Sequence, residues 1–294
     1  MRRLIPILIG VLLAAPEAAT ARDRQPARTA VMSAFPRELE ALEAATRHKH
    51  ARVLGGVRFV TGELEGRPVV LFLSGVSMVN AARTTQLALD RFRIRRIVFS
   101  GVGGGVDPAL QVGDVVVPEQ WAEYLEMTFV RDAAPAGDTA GRLAGYGMMA
   151  PNPVTVQRAS AEPEQRTWFP VDAAMLSAAR RAAKDPGLKR CAGERCLPGE
   201  PRIVVGGNGV SGSAFVDNAG FRQYAAVTFK AEVLDMESAA AAHVAYVNRV
   251  PFIAFRSLSD LAGGDPGANQ FPMFVDLAAD NSAAAVRSFL RAAP

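Results

Sequence analysis

Short apolar runs alternate along the chain with segments in which leucine and alanine recur at helical spacing. In the first third of the sequence this pattern predicts a strand at 30–34, a helix at 37–48, a hairpin with strands 52–64 and 67–74 turning at Glu65-Gly66, a helix at 78–92 and a buried strand at 96–100. Two successive strand-to-helix units with apolar strands indicate an α/β sheet covered by helices.

The same alternation returns after a less regular region. The pattern predicts a turn that leads into a strand at 111–118, a strand at 201–206, a strand at 252–256 with a loop at 257–260, and a closing helix at 274–293. Between 126 and 200, proline and glycine are spread through the sequence and only a helix at 171–184 is predicted. We interpret 126–200 as an irregular insertion or a lid.

The stretch 233–241, V-L-D-M-E-S-A-A-A, places Asp235, Met236 and Glu237 where an apolar strand gives way to an alanine-rich helix. A carboxylate near a helix start is favoured by the helix dipole. Capping of the helix is therefore one interpretation of the two acids, and ligand binding is the other.

Glycine-rich segments follow two of the predicted strands, S-G-V-G-G-G at 100–105 and the run at 207–216. Glycine lets the backbone approach a ligand closely, and open α/β sheets bind ligands at the carboxyl ends of their strands. The first segment is not a G-x-G-x-x-G that opens directly into a helix, and a further turn and strand follow it. We therefore do not expect a dinucleotide site or any other cofactor.

The first 21 residues have the organisation of a secretory signal peptide. Arg2 and Arg3 precede an apolar run at 4–15, and Ala19-Thr20-Ala21 matches a small-residue cleavage site. The run is short for a membrane span, so a retained anchor is the alternative interpretation. We expect a mature chain of residues 22–294, located in the periplasm or secreted, with no membrane partner after the leader is removed.

Charge and cysteine content narrow the function classes further. The formal net charge of +4 falls to +3 without the leader, which does not favour a nucleic-acid-binding protein. The basic cluster R-F-R-I-R-R at 91–96 is interpreted as a solvated sheet edge, with a phosphate or nucleic-acid patch as the alternative. The cysteines, Cys191 and Cys196, are predicted to form a disulfide across a short loop, and no metal site is expected.

Five motifs in order along the chain resemble the purine nucleoside phosphorylase and uridine phosphorylase superfamily, and most of all its methylthioadenosine/S-adenosylhomocysteine nucleosidase branch. They are A-F-P-R-E-L-E-A-L at 34–42, S-G-V-G-G-G-V-D-P-A-L-Q-V-G-D-V-V-V at 100–117, S-G-S-A-F-V at 211–216, D-M-E-S-A-A at 235–240 and R-S-L-S-D at 256–260. The resemblance implies a three-layer α/β/α single domain with a central mixed sheet, forming a homodimer or a higher homo-oligomer.

The resemblance also implies a role for each motif residue in cleaving the N-ribosidic bond of a purine nucleoside. By this resemblance, Glu38 would be the general base on water and Asp260 would donate a proton to the leaving purine. Glu237 would bind the ribose hydroxyls, and Met236 would pack beside the sugar. Phe215 would stack on the purine, the backbone of Val216 would read the purine edge, and Phe271 would form a wall for the 5′ substituent. Gly103, in the glycine-rich strand end, is also expected to bind the substrate.

The nucleophile is expected to be water, because Glu38 stands in the first loop where the nucleosidases carry their catalytic glutamate. Arg37 and Arg96 leave open a phosphate-dependent phosphorylase, since phosphate binding requires arginines or backbone amides. Val102 departs from the nucleosidase pattern, which has serine there, and valine cannot hydrogen-bond to water or sugar. A nucleoside-binding relative without turnover is therefore a further alternative.

Overall fold

The computed structural model describes residues 25–130, 146, 148–158 and 161–293. The helices are α1 Pro36–Ala45, α2 Met78–Arg91, α3 Ala173–Ala182, α4 Ala219–Phe229, α5 Ser238–Val247 and α6 Phe271–Ala292. The strands are β1 Arg28–Ser33, β2 Arg47–Leu54, β3 Val57–Leu64, β4 Arg67–Leu73, β5 Ile94–Gly105, β6 Val115–Val117, β7 Gln120–Glu123, β8 Met127–Phe129, β9 Met149–Pro151, β10 Val154–Val156, β11 Glu164–Arg166, β12 Phe169–Pro170, β13 Cys191–Ala192, β14 Arg195–Cys196, β15 Ile203–Val205, β16 Asn208–Ser211, β17 Ala231–Asp235 and β18 Phe252–Asp260. The predicted leader lies outside the described residues.

One large mixed sheet organises the molecule. Its strand order is β12-β7-β16-β17-β5-β1-β4-β3-β2, with β18 pairing with β5 and β6, and β6 pairing with β15. Strands β4, β1, β5 and β18 are parallel, whereas β2 and β3 continue the sheet in antiparallel order. Helices α1 and α3 pack against α6, and α2 packs against α5, so that the sheet is covered on both faces. The predicted three-layer α/β/α fold with a mixed sheet is confirmed.

The central strands are apolar because both of their faces are covered. Every residue of β18 is buried, and β5 is buried from Ile97 to its end at Gly105. The edge strand β2 is exposed along nearly its whole length. Among the described residues, no helix is long and apolar enough to span a bilayer.

Several predicted boundaries are wrong. The predicted strand 52–64 is two strands, β2 and β3, because Gly55 and Gly56 form a turn with φ of 55° and 79°, a conformation that glycine adopts without strain. The predicted helix 37–48 ends at Ala45, and Arg47 already belongs to β2.

The predicted loop 257–260 is the end of β18, which pairs with the glycine-rich half of β5. The second glycine-rich segment, predicted as a strand end, begins with a further strand, β16, which lies beside β17.

The region 126–200 contains short paired strands and one helix in its described part. Strand β8 pairs with β9, β10 pairs with β11, and β12 extends the main sheet beside β7. Helix α3 corresponds to the predicted helix 171–184, and Asp172 caps it by accepting a hydrogen bond from Met175 N. The interpretation of this region as a lid stays a prediction.

Cys191 and Cys196 form a disulfide at an exposed hairpin of β13 and β14. Replacing both cysteines with serine is expected to lower the free energy of unfolding by about 2 kcal/mol, because the closed loop is short. Chemical denaturation of the oxidised wild type and the double variant measures the difference. A wild type that is equally stable with and without reductant would contradict a stabilising bond.

Candidate active site

The candidate site is a cavity of about 260 Å³ at the carboxyl ends of β1, β5, β17 and β18. All eight residues predicted to form a site line it: Glu38, Gly103, Phe215, Val216, Met236, Glu237, Asp260 and Phe271. A larger groove of about 970 Å³ lies between α1 and α2, but none of the three predicted acids lines it. We therefore take the smaller cavity as the site, while the role of each residue stays a prediction.

Glu38 is buried in the first turn of α1, and the backbone holds both of its carboxylate oxygens. Oε2 accepts hydrogen bonds from Ala34 N at 2.6 Å and Phe35 N at 3.3 Å, and Oε1 accepts one from Val102 N at 2.7 Å. A Cβ at position 101 would lie 2.7 Å from Oε1, so glycine there makes room for the carboxylate. Burial raises the pKa of Glu38, against the opposing charge of Arg256 and these three N–H groups.

Arg256 is fully buried and joins three carboxylates. Its Nε lies 2.6 Å from Asp235 Oδ2, its Nη2 lies 3.6 Å from Glu237 Oε2, and its Nη1 lies 3.9 Å from Glu38 Oε1. The Nε–H and an Nη2–H donate hydrogen bonds to Ser238 Oγ at 3.0 and 2.9 Å, so the contact with Asp235 is an ion pair without hydrogen-bond alignment. One cation thus faces three buried acids.

Asp235 and Glu237 lie at the junction of β17 and α5. Asp235 Oδ1 accepts hydrogen bonds from the backbone of Glu237 and Ser238, both at 3.1 Å, and from Ser211 Oγ. Asp235 therefore holds the start of the helix, as the capping interpretation predicts. Both Asp235 and Glu237 line the cavity.

The Glu237 carboxylate receives a backbone hydrogen bond across the cavity floor. Ser77 N donates to Glu237 Oε1 at 2.8 Å, from a backbone with φ of 82° that is unusual for a residue with a Cβ. Burial raises the pKa of Glu237 to about 7, against the opposing charge of Arg256 and with a further contribution from Asp235. Glu237 therefore changes its charge close to neutral pH.

Asp260 ends β18 on another wall of the cavity. Its Oδ1 accepts a hydrogen bond from Ala262 N at 2.8 Å, and its Oδ2 accepts one from Ser259 Oγ at 2.9 Å. Burial raises the pKa of this carboxyl, while these two hydrogen bonds oppose the rise. A raised pKa increases the protonated fraction that can donate a proton to a bound group.

The outer part of the cavity is apolar and aromatic. The rings of Phe215 and Phe271 meet edge to face with centroids 5.5 Å apart. Phe215 is 56% exposed at the rim, whereas Val216 behind it is buried. Exposure leaves one side of the Phe215 ring available for contact with a planar ligand.

Val102 packs its side chain with Ala278 and Ala279 in a small apolar cluster beside Phe35 and Phe271. Its side chain brings no hydroxyl to the cavity, but its backbone still serves the site, since Val102 N donates to Glu38. The wall next to Glu38 is therefore apolar at this point.

The arginines that left phosphate binding open lie away from the cavity. Arg37 pairs with Asp276 at 2.7 Å and Asp280 at 2.9 Å on the surface, and Arg96 lies near the start of β5, opposite Thr29. Neither arginine lines the cavity, and its lining residues in the described chain include no lysine or arginine. Nor do the described residues include a group of three potential ligands that could hold a metal ion.

The family model of the phosphorylase superfamily matches residues 28–291, which span the whole site. The chain belongs to the phosphorylase superfamily. The family predicted from the five motifs is thus confirmed.

The relatives of this superfamily member include a plant storage protein as well as bacterial nucleosidases. Bark storage protein A of Populus deltoides is 29% identical over 82% of the chain and 79% of that protein. The 5′-methylthioadenosine/S-adenosylhomocysteine nucleosidase of Listeria welshimeri is 28% identical over 89% of the chain and 97% of the nucleosidase. The Neisseria meningitidis nucleosidase of the same name, solved in complex with methylthio-immucillin-A, is 26% identical with a TM-score of 0.67, covering 90% of the chain and 98% of the nucleosidase.

Sequence reasoning gave no role to Arg256 and left Asp235 between helix capping and ligand binding, whereas the geometry places both residues at the centre of this superfamily member's site. Arg256 and Asp235 each belong to a quoted motif, yet only the fold shows that the arginine contacts acids from α1, β17 and the junction before α5. The available signal was the single basic residue in the apolar run of β18, because a buried arginine requires carboxylate or other polar partners.

Proposed function

We propose that this chain is a hydrolytic purine nucleosidase of the methylthioadenosine/S-adenosylhomocysteine type. The observation that carries the proposal is a cavity lined by Glu38, Glu237 and Asp260 and, among the residues that the structure describes, by no lysine or arginine. Such a lining suits a neutral nucleoside and water, whereas a phosphate nucleophile requires positive charge or a nest of amides. The named nucleosidase relatives support the same reaction.

The reaction replaces the bond between the anomeric carbon and the purine nitrogen with a bond to water oxygen. Glu38 accepts the proton of the attacking water, and its three backbone hydrogen bonds fix the orientation of the carboxylate. The electron pair of the broken bond moves to the purine, which takes a proton from Asp260. Free base and free sugar leave, and the sugar passes through an oxocarbenium-like transition state.

Glu237 accepts hydrogen bonds from the ribose hydroxyls in its ionised form. The anionic acids near the sugar also stabilise the positive charge that develops on the ring. Phe215 and Val216 contact the base, and Met236 and Phe271 contact the sugar and its 5′ substituent.

A nucleoside-binding or storage protein without turnover is the second candidate, and the similarity to bark storage protein A favours it. The apolar Val102 beside Glu38 also fits a binding protein, because valine cannot hydrogen-bond to an attacking water. Against the binding protein, nucleoside binding alone does not require three buried carboxyl groups in one cavity, with Glu38 as general base, Asp260 as proton donor and Glu237 at the sugar.

Release of free base from methylthioadenosine, adenosine and inosine, each with and without phosphate, tests the proposal. We expect release without phosphate, and a rate about a hundredfold lower in Asp260→Asn, whose side chain has no acidic proton to give. Tight nucleoside binding with no product from the wild type would favour the binding protein instead.

A dependence of kcat/KM on the ionisation of Glu237 is a separate prediction. Because its pKa is about 7 and its ionised form accepts from ribose, kcat/KM is expected to rise with pH up to about 7. Glu237→Gln is expected to lower kcat/KM and to remove this limb of the profile. An unchanged limb in the variant would assign it to another group.

The same pKa has a consequence for stability. The pKa in the folded state lies above the ordinary 4.5, so ionisation is harder in the folded than in the unfolded chain. The unfolding free energy of the wild type should therefore fall relative to that of Glu237→Gln as pH rises from 4.5 to about 7.

Export to the periplasm or the medium and assembly into a homo-oligomer also belong to the proposal. The disulfide of Cys191 and Cys196 supports export, since such bonds persist in oxidising compartments. The exposed apolar side chains of Val79 and Phe129 support assembly. N-terminal sequencing of the purified protein and its mass in solution test the two statements.

A further inference from the structure

Arginines line one end of the central sheet, where the three adjacent strands β4, β1 and β5 begin. Strand β1 starts at Arg28, which pairs with Ile94 at the start of β5, and β4 on the other side of β1 starts at Arg67. Adjacent strands lie about 4.8 Å apart, so these starts are close neighbours.

The junction of α2 and β5, from the last residue of the helix to the second residue of the strand, adds three more arginines to this end of the sheet. Its residues 91–95, R-F-R-I-R, alternate in exposure, because Phe92 and Ile94 are buried in the core while Arg91, Arg93 and Arg95 are exposed. We define the basic face as Arg28, Arg67, Arg91, Arg93 and Arg95.

Carboxylates do not neutralise this face. In the described part of the chain, none of its five arginines forms an ion pair; Arg28 and Arg67 donate instead to the backbone carbonyl oxygens of Val69, Leu290 and Ala293. The positive charges at this end of the sheet also repel one another. Burial lowers the pKa of the neighbouring Arg96, and the charges of Arg95 and Arg67 lower it further, against the opposing charge of Asp172.

The acids nearest to the basic face are already engaged. Glu63 pairs with Arg47 at 3.0 Å, and Glu65 pairs with Arg287 at 2.6 Å and Arg291 at 3.2 Å. Asp172 caps α3, and Asp90 accepts a hydrogen bond from a glutamine one helical turn before it. These two hydrogen bonds do not cancel the charges of Asp172 and Asp90, but the five arginines outnumber the two acids, so the face carries an excess of positive charge.

The chain also enters the folded body at this face. Gln25, the first described residue, donates a hydrogen bond to the carbonyl oxygen of Arg91, and Arg28 N donates to that of Arg93. The preceding sequence contains the apolar run 4–15 and, after the predicted cleavage site, Arg22, Asp23 and Arg24. The cavity lies at the other end of the strands, where Asp235 and Asp260 end β17 and β18.

We propose that the basic face docks the processed protein reversibly on an anionic phospholipid surface, with the cavity facing away from it. Arginines near such a surface are attracted to its negative potential, each by roughly a fivefold gain in binding. A lipid surface is favoured over nucleic acid because the formal net charge of +3 for the mature chain does not favour nucleic-acid binding, and because an exported protein, as proposed above, meets membrane surfaces. The proposal replaces the expectation of a merely solvated edge without a membrane partner, and it does not depend on the proposed enzyme activity.

Co-sedimentation with vesicles tests the proposal on the processed protein, purified after expression of the full chain. We expect binding to phosphatidylcholine vesicles that contain about one-third phosphatidylglycerol, no binding to pure phosphatidylcholine, and loss of binding at high salt. Arg93→Gln combined with Arg95→Gln should weaken binding about 25-fold, from roughly fivefold for each arginine removed.

The matched control is Arg52→Gln combined with Arg195→Gln, which removes the same charge from two exposed arginines outside the basic face. This control should bind as the wild type does, and both double variants should keep the wild-type circular dichroism spectrum. Equal binding by the two double variants, no binding to the anionic vesicles, or tighter arginine-dependent binding to duplex DNA than to vesicles would each overturn the proposal.

Discussion

Replacement of Glu38 by glutamine is expected to lower kcat for base release by about a thousandfold, the loss typical of a general base. The amide cannot accept the proton of the attacking water. It also turns an NH₂ group towards backbone N–H donors, because Ala34 and Phe35 donate to one carboxylate oxygen and Val102 donates to the other. One of these donors then loses its acceptor, and we expect a loss of about 1–3 kcal/mol in the free energy of unfolding.

The control for this variant is Glu43→Gln on the same helix. Glu43 is paired at the surface with Arg58 at 2.7 Å and does not line the cavity, so kcat should remain at the wild-type value. Activity is compared at a temperature at which both variants are folded by circular dichroism. Glu38→Gln with wild-type kcat would remove Glu38 from the mechanism.

Replacement of Arg256 by methionine is expected to lower the free energy of unfolding by about 3–5 kcal/mol. Methionine fills part of the volume, but Asp235, Glu237 and Glu38 then lose the cation that they share. The pKa of Glu237 should rise above its value of about 7, because Arg256 opposes that rise in the wild type. Denaturant unfolding monitored by fluorescence measures the loss of stability.

Two further variants keep this prediction decisive. Arg58→Met breaks an exposed ion pair with Glu43 and should cost less than about 1 kcal/mol. If Arg256→Met does not fold, Arg256→Lys retains the charge without the planar fork, and it should fold with a kcat/KM limb displaced towards higher pH. A stability within about 1 kcal/mol of the wild type for Arg256→Met would show that the acids do not depend on this cation.

The site was accessible from the sequence because its residues occur in short motifs at strand ends. Glu38, Glu237 and Asp260 come from motifs that are far apart along the chain. Glu38 follows β1, Glu237 follows β17 and Asp260 ends β18, and the carboxyl ends of these three strands meet at one cavity. The topology of an open α/β sheet predicts ligand binding at the carboxyl ends of its strands. The grouping of these three acids in one site came from the family resemblance of their motifs.

The parts that sequence reasoning missed depend on tertiary contacts. Residues 257–260, S-L-S-D, have the composition of a loop, yet they continue a fully buried strand. Their polar groups find partners inside the fold, since Ser257 Oγ donates to Gly113 O, far away along the chain, and Ser259 Oγ donates to the neighbouring Asp260. Burial of this kind cannot be inferred from residue type alone.

Local patterns also concealed the number of strands near the amino terminus. The run 52–64 alternates well enough to be taken as one strand, and only the two positive φ angles at Gly55 and Gly56 divide it. The adjacent glycines were the available signal. The role of Arg256 was harder to infer, because its three acidic partners come from separate parts of the chain.

The identity of the sugar product in excess phosphate tests the proposed reaction most directly. The described part of the cavity lining contains no lysine or arginine, so the wild type should release free base and free sugar at a rate that does not depend on phosphate. Formation of a sugar 1-phosphate, with no turnover when phosphate is omitted, would contradict hydrolysis and make the protein a phosphorylase.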